Sequence, residues 1–483
     1  MSNAATRKAG ALTIVTFDAP GLGDRSYLLS DNEVCVVVDP QRDPSPYLQT
    51  AERLGVGVMA VLETHIHNDY LSGGPALAGA TGATYVIPAG EPVSFAGEVR
   101  ALDGGETLVA GRLAVTAIAT AGHTAHHLAY LVELTGDERE EALAEQVVCT
   151  GGSLLHNATG RTDLLGPGLA ETLARSQWRS VRLLLTSLPK HTRILPTHGF
   201  GSFCSATPAH GRVAAEPTIG HELEQNPAAL LDEEDFVAML LREPLPIPAY
   251  YRYMAPLNRK GPVIPTFEPV PELDEDALAE AIRGAEWVVD LRQRREYAAG
   301  HMPGTLNLEL GENLTTYLGW IVPWEAELVL LAEGAEEIAE ARRLIARIGR
   351  EHVSGSALWG RTVSAMDPGE RSRLGEYPLA TFADLAEAWS DQEVSRPHVL
   401  DVRHLYEWKD GHLLGARHLA LPELVAKRAD VPTTVPVWVH CGAGFRAAAA
   451  ASLLSGWGAS PILIDDAWSN AGRTDLPIVT QGA

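Results

Sequence analysis

The chain has 483 residues, about three times the roughly 150 of a typical domain, so two to four domains are expected. Its 38 basic and 62 acidic residues give a formal net charge of −24, which argues against a nucleic-acid or anionic-membrane partner, because polyanions bind basic faces. No apolar run approaches the roughly 18 residues of a membrane span, and residues 1–12 lack the apolar core of a secretory signal.

The first part of the chain alternates short apolar strands with turns and helices. The predicted strands cover residues 34–38, 58–62, 114–119, 147–150 and 193–196. The second, third and fifth of them run directly into loops that carry histidine. Loops at strand ends are held rigidly by the sheet and often carry active-site residues. The pattern therefore predicts an α/β domain over residues 12–241, with its site at these strand ends.

The histidines of these loops form a candidate metal site. His65 and His67 lie two residues apart after a strand, so both imidazoles can face one ion. His123 ends a second strand, and these three histidines are the predicted metal ligands. Asp69 and His198 are candidates for a further ligand, or for holding a ligand in place. A single loop histidine is usually only hydrogen-bonded, but four at strand ends favour a metal.

The order of these motifs resembles the metallo-β-lactamase superfamily, which implies an αββα sandwich with metal ligands at strand ends. Over about residues 12–215, including the stretch 160–163, the chain more closely resembles glutathione-persulfide dioxygenases. Members of that family hold one iron ion with two histidines and one aspartate. The resemblance implies one Fe(II) ion on His65 and His123, with glutathione persulfide as substrate. Arg161 is the candidate for gripping a substrate carboxylate with its bidentate fork.

The chain departs from that family at two motif positions. Tyr70 replaces the last histidine of His-x-His-x-Asp-His, and Gly152 stands where the family has its aspartate ligand. The third ligand must then come from elsewhere: His67 would give a three-histidine site, and Asp69 would keep a carboxylate. Loss of the bridging aspartate and of the second-site histidine disfavours a two-metal, glyoxalase-II-like thioester hydrolase. Zinc in place of iron, or a domain that has lost its metal, are the remaining alternatives.

Residues 242–274 differ in composition from the segment before them. They contain eight prolines and three tyrosines. This composition predicts an extended, semi-rigid linker that docks through its aromatic side chains.

The remainder of the chain contains an internal repeat. Asp290-Leu291-Arg292 matches Asp401-Val402-Arg403, and the offset of 111 positions (401 − 290) also relates His301 to His412. Each copy begins with a helix pattern, followed by an apolar strand and a loop of the form Gly-His-x-x-Gly. Helices alternating with strands predict two small α/β domains with parallel sheets, over residues 275–365 and 376–483.

The clearest chemical signal is the loop from Cys441 to Arg446, between an apolar strand and an alanine-rich helix. Its glycines allow backbone N–H groups to turn toward the sulfur, and the helix N-terminus and Arg446 add positive charge. These effects favour thiolate over thiol, so Cys441 and Arg446 are the predicted catalytic residues. The rest of the active-site loop is Gly442, Ala443, Gly444 and Phe445.

This loop and the motifs at 401–403 and 411–412 resemble the rhodanese (sulfurtransferase) family over residues 376–483. Related phosphatase loops hold one more residue between cysteine and arginine, so phosphatase activity is the weaker interpretation. In the first repeat the cysteine position falls at Ala332 and the arginine position at Glu337. That copy is predicted to be non-catalytic and to act as a spacer, a dimer surface or a docking face.

These observations predict a fusion that oxidises the sulfane sulfur of glutathione persulfide to sulfite and transfers sulfur at Cys441, making or using thiosulfate. Tethering two sites on one chain raises the concentration of one product near the other site. The expected partners are small molecules, with homo-oligomer formation left open. A sulfurtransferase with a metal-free binding module is the alternative. Four scattered cysteines make no disulfide framework and favour a reducing cytoplasm.

Overall fold

The computed structural model describes residues 5–9, 12–95, 97–135, 146–199, 201–207, 217–242, 245–284, 287–390 and 396–480. The chain divides into two compact units, of which the first comprises Met1–Thr266 with Ala346–Gly349. The second comprises Phe267–Ile345 with Arg350–Ala483, so it contains both copies of the repeat. Among the described helices, none combines the length and the apolar character needed to cross a bilayer.

The first unit contains two sheets that face each other. In its described part, one sheet has seven strands in the order β1 to β7, antiparallel up to β4 and parallel beyond it. The other has five strands in the order β14-β11-β10-β9-β8, with only the β11–β14 pair parallel. The strands are β1 (Ala5–Ala9), β2 (Leu12–Ala19), β3 (Asp24–Ser30), β4 (Val34–Val38), β5 (Gly57–Leu62), β6 (Thr84–Pro88), β7 (Val99–Leu102), β8 (Thr107–Ala110), β9 (Leu113–Ala119), β10 (Leu128–Leu134), β11 (Val147–Gly151) and β14 (Arg193–Pro196), with the hairpin β12 (Leu154–Leu155) and β13 (Ala158–Thr159) between the last two.

Helices cover the outer faces of both sheets. A buried cluster that draws on both sheets, including Val36 and Val115, fills the space between them. Val37 packs outward with the helix residues Tyr47 and Leu77, and Val148 packs outward with Val181. The helices of this unit are Ser45–Leu54, Gly74–Thr81, Pro167–Ser187, Ile219–Gln225, Pro227–Leu230, Glu233–Arg242 and Tyr251–Lys260. The layers are helix, sheet, sheet and helix, which confirms the predicted αββα sandwich.

The sequence predicted an extended conformation for the proline-rich segment, and this prediction is wrong for part of it. Residues Tyr251–Lys260 form a helix that contains Pro256. A proline inside a helix removes one backbone hydrogen bond, and burial of one helix face compensates for that loss here. Tyr250 and Tyr251 are 1% and 4% exposed, so aromatic side chains do anchor this segment.

The second unit contains two parallel sheets, one for each copy of the repeat. Its described strands run in the orders β16-β15-β17-β18 and β19-β24-β23-β20-β22. They are β15 (Trp287–Asp290), β16 (Leu306–Asn307), β17 (Leu328–Ala332), β18 (Gly355–Leu358), β19 (Leu379–Ala380), β20 (His398–Asp401), β22 (Arg417–His418), β23 (Pro436–His440) and β24 (Ser460–Ile464), with a separate pair β21 (His412–Leu413) and β25 (Ile478–Val479). Its helices are Glu275–Arg283, Arg294–Ala299, Leu314–Ile321, Ala335–Ala346, Trp359–Ala365, Pro368–Arg371, Phe382–Ser390, Leu405–Asp410, Leu421–Leu424, Phe445–Gly456 and Trp468–Ala471, with a 3₁₀ turn at Arg428–Asp430.

Strand register aligns the two copies residue by residue. Asp290 pairs with Leu331 in the first copy, and Asp401 pairs with His440 in the second. The residues that follow these partners are Ala332 and Cys441. Ala332 therefore occupies the cysteine position, as the repeat in the sequence predicted.

The repeated Asp-x-Arg motif has a structural role. Arg292 makes charge-assisted hydrogen bonds to Asp290 and lies 3.6 Å from the ring centre of Trp359. In the second copy Arg403 bonds to Asp401 and its guanidinium also donates to the Gly411 carbonyl. A buried carboxylate requires such a partner. The motif thus fixes the end of a strand against the loop that follows the next helix.

Candidate functional site

Four histidines converge in the first unit at the ends of three strands. The ring centre of His65 lies 4.2 Å from that of His67, 4.9 Å from His123 and 5.2 Å from His198. These four side chains are at most 1% exposed. The structure therefore brings together all the histidines that the sequence proposed as ligands.

Hydrogen bonding fixes which nitrogen of His65 faces the cluster. Thr64 donates its hydroxyl proton to Asp39 at 2.7 Å, so its oxygen accepts from His65 Nδ1 at 2.9 Å. The lone pair of His65 therefore lies on Nε2, which is 3.3 Å from His198 Nε2. Burial and the neighbouring imidazoles keep the pKa of His65 well below its usual value, so the ring is neutral, as a metal ligand must be.

His198 and His123 are held in the same manner, through their outer nitrogens. His198 Nδ1 lies 2.8 Å from Asp24 and 3.2 Å from Asp69. His123 Nδ1 donates to the Arg161 carbonyl at 2.8 Å, and its Nε2 is buried without a hydrogen-bond partner among the described residues. Burial, together with His198, lowers the pKa of His123 to about 3.

His67 keeps one nitrogen free although its other nitrogen is engaged. Its Nε2 lies 3.2 Å from Glu63, 3.2 Å from Asp39 and 3.0 Å from the Tyr70 hydroxyl. Its Nδ1 is buried and finds no hydrogen-bond partner in the described part of the chain. Histidine that binds metal through one nitrogen commonly donates from the other to a carboxylate. The carboxylates of Glu63 and Asp39 hold His67 in this way, and the hydroxyl of Tyr70, where the family motif has histidine, lies beside them.

These side chains fit a bound divalent cation. One ligand atom from each of His65, His67 and His198 lies within 4.8 Å of the others, and the same holds for His123, His198 and Cys204. Asp69 is buried, and its Oδ2 lies 3.2 Å from His198 Nδ1. Buried carboxylates favour a positive ion, and imidazoles bind zinc and iron. Asp69 and His198, the predicted alternatives, thus lie at the cluster itself.

Gly152 and His127 form the side of the histidine cluster next to His123. A Cβ at Gly152 would lie 2.2 Å from His123 Cδ2, so any side chain at this position would collide with the ligand ring. The backbone N–H of Gly152 donates to His127 Nε2 at 3.1 Å, and His127 Nδ1 bonds to Thr120. Both nitrogens of His127 are therefore satisfied by protein, which is why this fifth histidine is not a ligand candidate.

Arg161 does not have the role that the sequence suggested. Two of its nitrogens donate to Asp163 at 2.6 and 2.7 Å. Its remaining donors go to the carbonyls of Phe203, Leu245 and Pro246. All five N–H groups are used, because carbonyls distant in the chain cap the guanidinium. Arg161 ties loops together rather than offering a fork to a substrate carboxylate.

In the second unit, the loop after Cys441 turns one backbone N–H group toward the sulfur. The backbone N–H of Gly444 points at Cys441 Sγ, 3.2 Å away. Gly444 has a φ of 94°, which a residue with a side chain rarely adopts, and the helix Phe445–Gly456 begins directly after it. Cys441 is 1% exposed. Arg446 donates through two nitrogens to Glu407, at 2.8 Å for Nη2, so its guanidinium is oriented by a carboxylate rather than free.

The first copy of the repeat lies against this loop. The Tyr317 ring is 5.4 Å from the Phe445 ring, and Arg294 bonds to Asp465 at 2.5 Å. A Cβ at Gly444 would lie 2.9 Å from Arg294 Nε and 2.7 Å from Asp465 Oδ1. The first copy therefore supports the loop directly and does more than separate two domains.

Comparison with known proteins identifies both parts. Residues 20–198 match the family model of the Metallo-beta-lactamase superfamily, and residues 382–471 match that of the Rhodanese-like domain. This chain joins a metallo-beta-lactamase domain to a rhodanese-like domain.

Similar proteins include enzymes with different chemistry. A probable metallo-hydrolase of Burkholderia pseudomallei is 29% identical over 261 residues, which cover 47% of this chain and 85% of that protein. The mitochondrial persulfide dioxygenase ETHE1 of Bos taurus is 28% identical over 243 residues, covering 49% of this chain and 83% of its own. A metallo-beta-lactamase structure from Staphylococcus aureus has a TM-score of 0.62 at 23% identity, over 73% of this chain and 99% of that one. The last comparison supports the fold.

In the first copy of the repeat, a carboxylate binds the backbone N–H groups of the loop that corresponds to the Cys441 loop. Glu337, at the position of Arg446, accepts from the backbone N–H of Glu333 at 2.9 Å and of Gly334 at 3.3 Å. A carboxylate thus occupies the loop amides that would otherwise face a sulfur anion. Together with Ala332, this arrangement gives a physical reason for the predicted inactivity of the copy.

Several residues of both sites carried no local signal in the sequence. Asp24 contacts His198 across 174 positions, and Glu407 contacts Arg446 across 39. Asn258, from the proline-rich segment, donates to the carbonyls of His67 and Tyr70 at 2.9 and 2.8 Å. Its oxygen also accepts from the Ser72 N–H at 2.9 Å, so this side chain clamps the histidine loop at three points.

Proposed function

We propose that the metallo-beta-lactamase domain oxidises the sulfane sulfur of glutathione persulfide to sulfite at one Fe(II) ion, and that Cys441 transfers sulfane sulfur in the rhodanese-like domain. The observation that supports this most strongly is the pair of inward nitrogens on His65 and His198, 3.3 Å apart, with both outer nitrogens engaged. Against the effect of burial, Asp69 and Asp24 raise the pKa of His198 to about 10, so the cluster favours a positive charge that a metal ion would supply in place of a proton. Similarity to persulfide dioxygenases and the fused rhodanese-like domain favour sulfur as the substrate element.

The overall oxidation balances with oxygen and water alone. The persulfide anion, one O₂ and one water give the thiol, sulfite and one proton. The outer sulfur loses four electrons, and these reduce the oxygen molecule. Iron held by His65, His123 and a third residue of the cluster would supply a centre that binds both the sulfur and oxygen.

The protein residues around the cluster prepare it for this chemistry. Thr64, Asp24, Glu63 and the Arg161 carbonyl each hold one outer imidazole nitrogen, which fixes ring orientation and strengthens the inner nitrogen as a ligand. Full burial of the histidines keeps bulk water from the reacting sulfur.

At Cys441 the transfer step is a nucleophilic substitution at sulfur. The Cys441 thiolate attacks the outer sulfur of thiosulfate, the Sγ–S bond forms, and the donor S–S bond breaks so that sulfite leaves with the electron pair. The Gly444 N–H, already 3.2 Å from Sγ, stabilises the anion. The reverse reaction moves sulfur from the Cys441 persulfide to sulfite and makes thiosulfate.

Two assays test the two halves separately. Fe(II)-loaded protein given glutathione persulfide is expected to consume one O₂ for each sulfite formed. His123→Ala should abolish uptake, whereas His126→Ala, at an exposed neighbouring histidine, should retain it. Cys441→Ser should abolish sulfur transfer from thiosulfate to cyanide while oxygen uptake continues, and Cys35→Ala serves as the control for loss of a buried thiol. Absence of oxygen uptake after anaerobic iron loading would reject the oxidative half.

Similarity to a probable metallo-hydrolase and to hydroxyacylglutathione hydrolases supports a second candidate, hydrolysis of a thioester. The two candidates differ in metal and in co-substrate. Turnover of a glutathione thioester by zinc-loaded protein, without oxygen uptake by the iron-loaded form, would favour hydrolysis. The departures at Tyr70 and Gly152 remove two ligand positions of a two-metal site, which is why oxidation is the preferred proposal.

A further inference from the structure

A second group of metal-binding side chains lies at the hairpin of the first unit. His156 and Asn157 form the tip between β12 and β13, where Asn157 has a φ of 54°. His221 and Glu222 lie in the first turn of the helix Ile219–Gln225, which faces that tip. Neither the family resemblance nor the proposed oxidation uses these residues.

The ligand atoms of this group have the spacing of a metal site. One atom from each of His156, His221 and Glu222 lies within 4.8 Å of the others. His156 Nδ1 and Glu222 Oε1 are 3.3 Å apart, and neither has a hydrogen-bond partner among the described residues. Two ligands bound at about 2.1 Å to a tetrahedral ion are about 3.4 Å apart. The separation therefore fits two ligands of one ion.

Glu222 is the strongest indication that a cation belongs here. Its side chain is 0% exposed. Oε2 accepts from the Asn157 N–H and from Asn226 Nδ2, both at 2.9 Å, which leaves Oε1 for the histidines. Burial raises the pKa of Glu222 to about 7 although both asparagines lower it. A buried carboxylate is costly to keep charged, and a cation bound at Oε1 in place of the His156 proton removes that cost.

Hydrogen bonds to the Asn157 side chain set the proton positions of the two imidazoles. Their rings stack at 5.1 Å with an interplanar angle of 14°. His221 Nε2 lies 2.9 Å from Asn157 Oδ1, which can only accept, so the proton is on Nε2 and the lone pair is on Nδ1. His156 Nε2 lies 3.4 Å from Asn157 Nδ2, which places the His156 proton on Nδ1 in the metal-free protein. Metal binding would displace this proton.

We propose that His156, His221 and Glu222 bind one zinc-class divalent ion that ties the hairpin to the helix Ile219–Gln225. Two histidines and a glutamate are an established zinc donor set, and the exposure of His221 lets the ion enter and leaves a fourth position for water. From this hairpin the chain continues through Thr159 to Arg161, whose carbonyl holds His123. The ion would therefore stabilise the segment that positions a histidine of the main cluster.

Zinc titration of the full-length chain against a chromophoric chelator tests the proposal. Wild-type protein is expected to bind one more tight zinc equivalent than His221→Ala, whose affinity for that equivalent should fall by more than about 100-fold. His221 is exposed, so the substitution leaves the core intact, and Glu222→Gln should have the same effect with the carboxylate shape kept. His191→Ala, at an exposed histidine outside both clusters, is the matched control.

Cobalt gives a readout that does not depend on activity. Co²⁺ added to wild-type protein should give a visible d–d band that is weaker by one equivalent in His221→Ala, and unchanged in His191→Ala. His65→Ala should retain the equivalent assigned to this site, which separates it from the main cluster. The proposal is overturned if His221→Ala and Glu222→Gln bind the same number of zinc equivalents as the wild type, with the same affinity.

Discussion

Replacement of Gly444 by alanine tests the sulfur cradle directly. Gly444 has a φ of 94°, and the added Cβ would lie 2.7 Å from Asp465 Oδ1 and 2.9 Å from Arg294 Nε. Those atoms are joined by an ion pair, so they cannot withdraw independently. Gly458 provides the matched control, because its φ is 81° and a Cβ there meets nothing within 4 Å in the described part of the chain.

The two substitutions share one cost and differ in another. A positive φ costs a residue with a side chain about 1–2 kcal/mol, and both variants bear that cost. Overpacking adds about 1–3 kcal/mol, and only Gly444→Ala bears it. We therefore expect Gly458→Ala to lose about 1–2 kcal/mol of unfolding free energy and Gly444→Ala to lose about 2–5.

Activity should separate the variants further. Displacement of the Gly444 N–H from Sγ removes a donor to the sulfur anion, and loss of one such donor commonly costs about 10²–10³ in rate. Thiosulfate-to-cyanide transfer by Gly444→Ala should fall by at least about 10-fold, since the donor is shifted rather than deleted. Urea unfolding gives the stability of each variant. Equal stability and equal transfer rates for the two variants would refute the cradle geometry.

Three further predictions concern Asn258, Glu407 and His301. Asn258→Ala should destabilise the first unit by about 1–3 kcal/mol in urea unfolding and reduce its metal content, because three hydrogen bonds to the histidine loop are lost; unchanged metal content would contradict the clamp. Glu407→Gln should lower kcat for sulfur transfer more than it raises KM, with partial recovery in Glu407→Asp, because Arg446 loses its orienting charge; a change in KM alone would contradict this. Burial lowers the pKa of His301 to about 4, so the neutral ring stabilises the fold above its unfolded pKa of 6.5, and up to about 3 kcal/mol is lost as the pH falls from 6.5 to 4. His301→Gln should flatten the dependence of unfolding free energy on pH in that window, and an unchanged slope would show that other groups control it.

The sequence predicted the fold and the histidine cluster because both depend on local patterns. Apolar runs set the strands, so 34–38 and 193–196 were predicted with the bounds that the structure has. Each histidine proposed as a ligand lies in the loop that follows such a strand, and the sheet then brings the strand ends together. Alignment of the strand ends placed Ala332 at the cysteine position for the same reason, since the same strand pairing precedes that position in both copies.

The residues that the sequence could not reveal act across long separations. Arg161 looked free because its carbonyl partners at Leu245 and Pro246 lie 84 and 85 positions away. The helix Tyr251–Lys260 was missed because the eight prolines of this segment favour an extended chain. Burial of Tyr251 and Asn258 stabilises the helix. Only tertiary packing determines such contacts, and no spacing in the chain encodes them.

X-ray absorption by iron in the reconstituted full-length protein tests the central claim most directly. The inward nitrogens of His65, His67, His123 and His198 predict outer-shell scattering from at least three imidazoles around one iron, with one imidazole fewer in His123→Ala. A wild-type spectrum without imidazole scattering, or one that His123→Ala leaves unchanged, would contradict a metal centre built from these histidines.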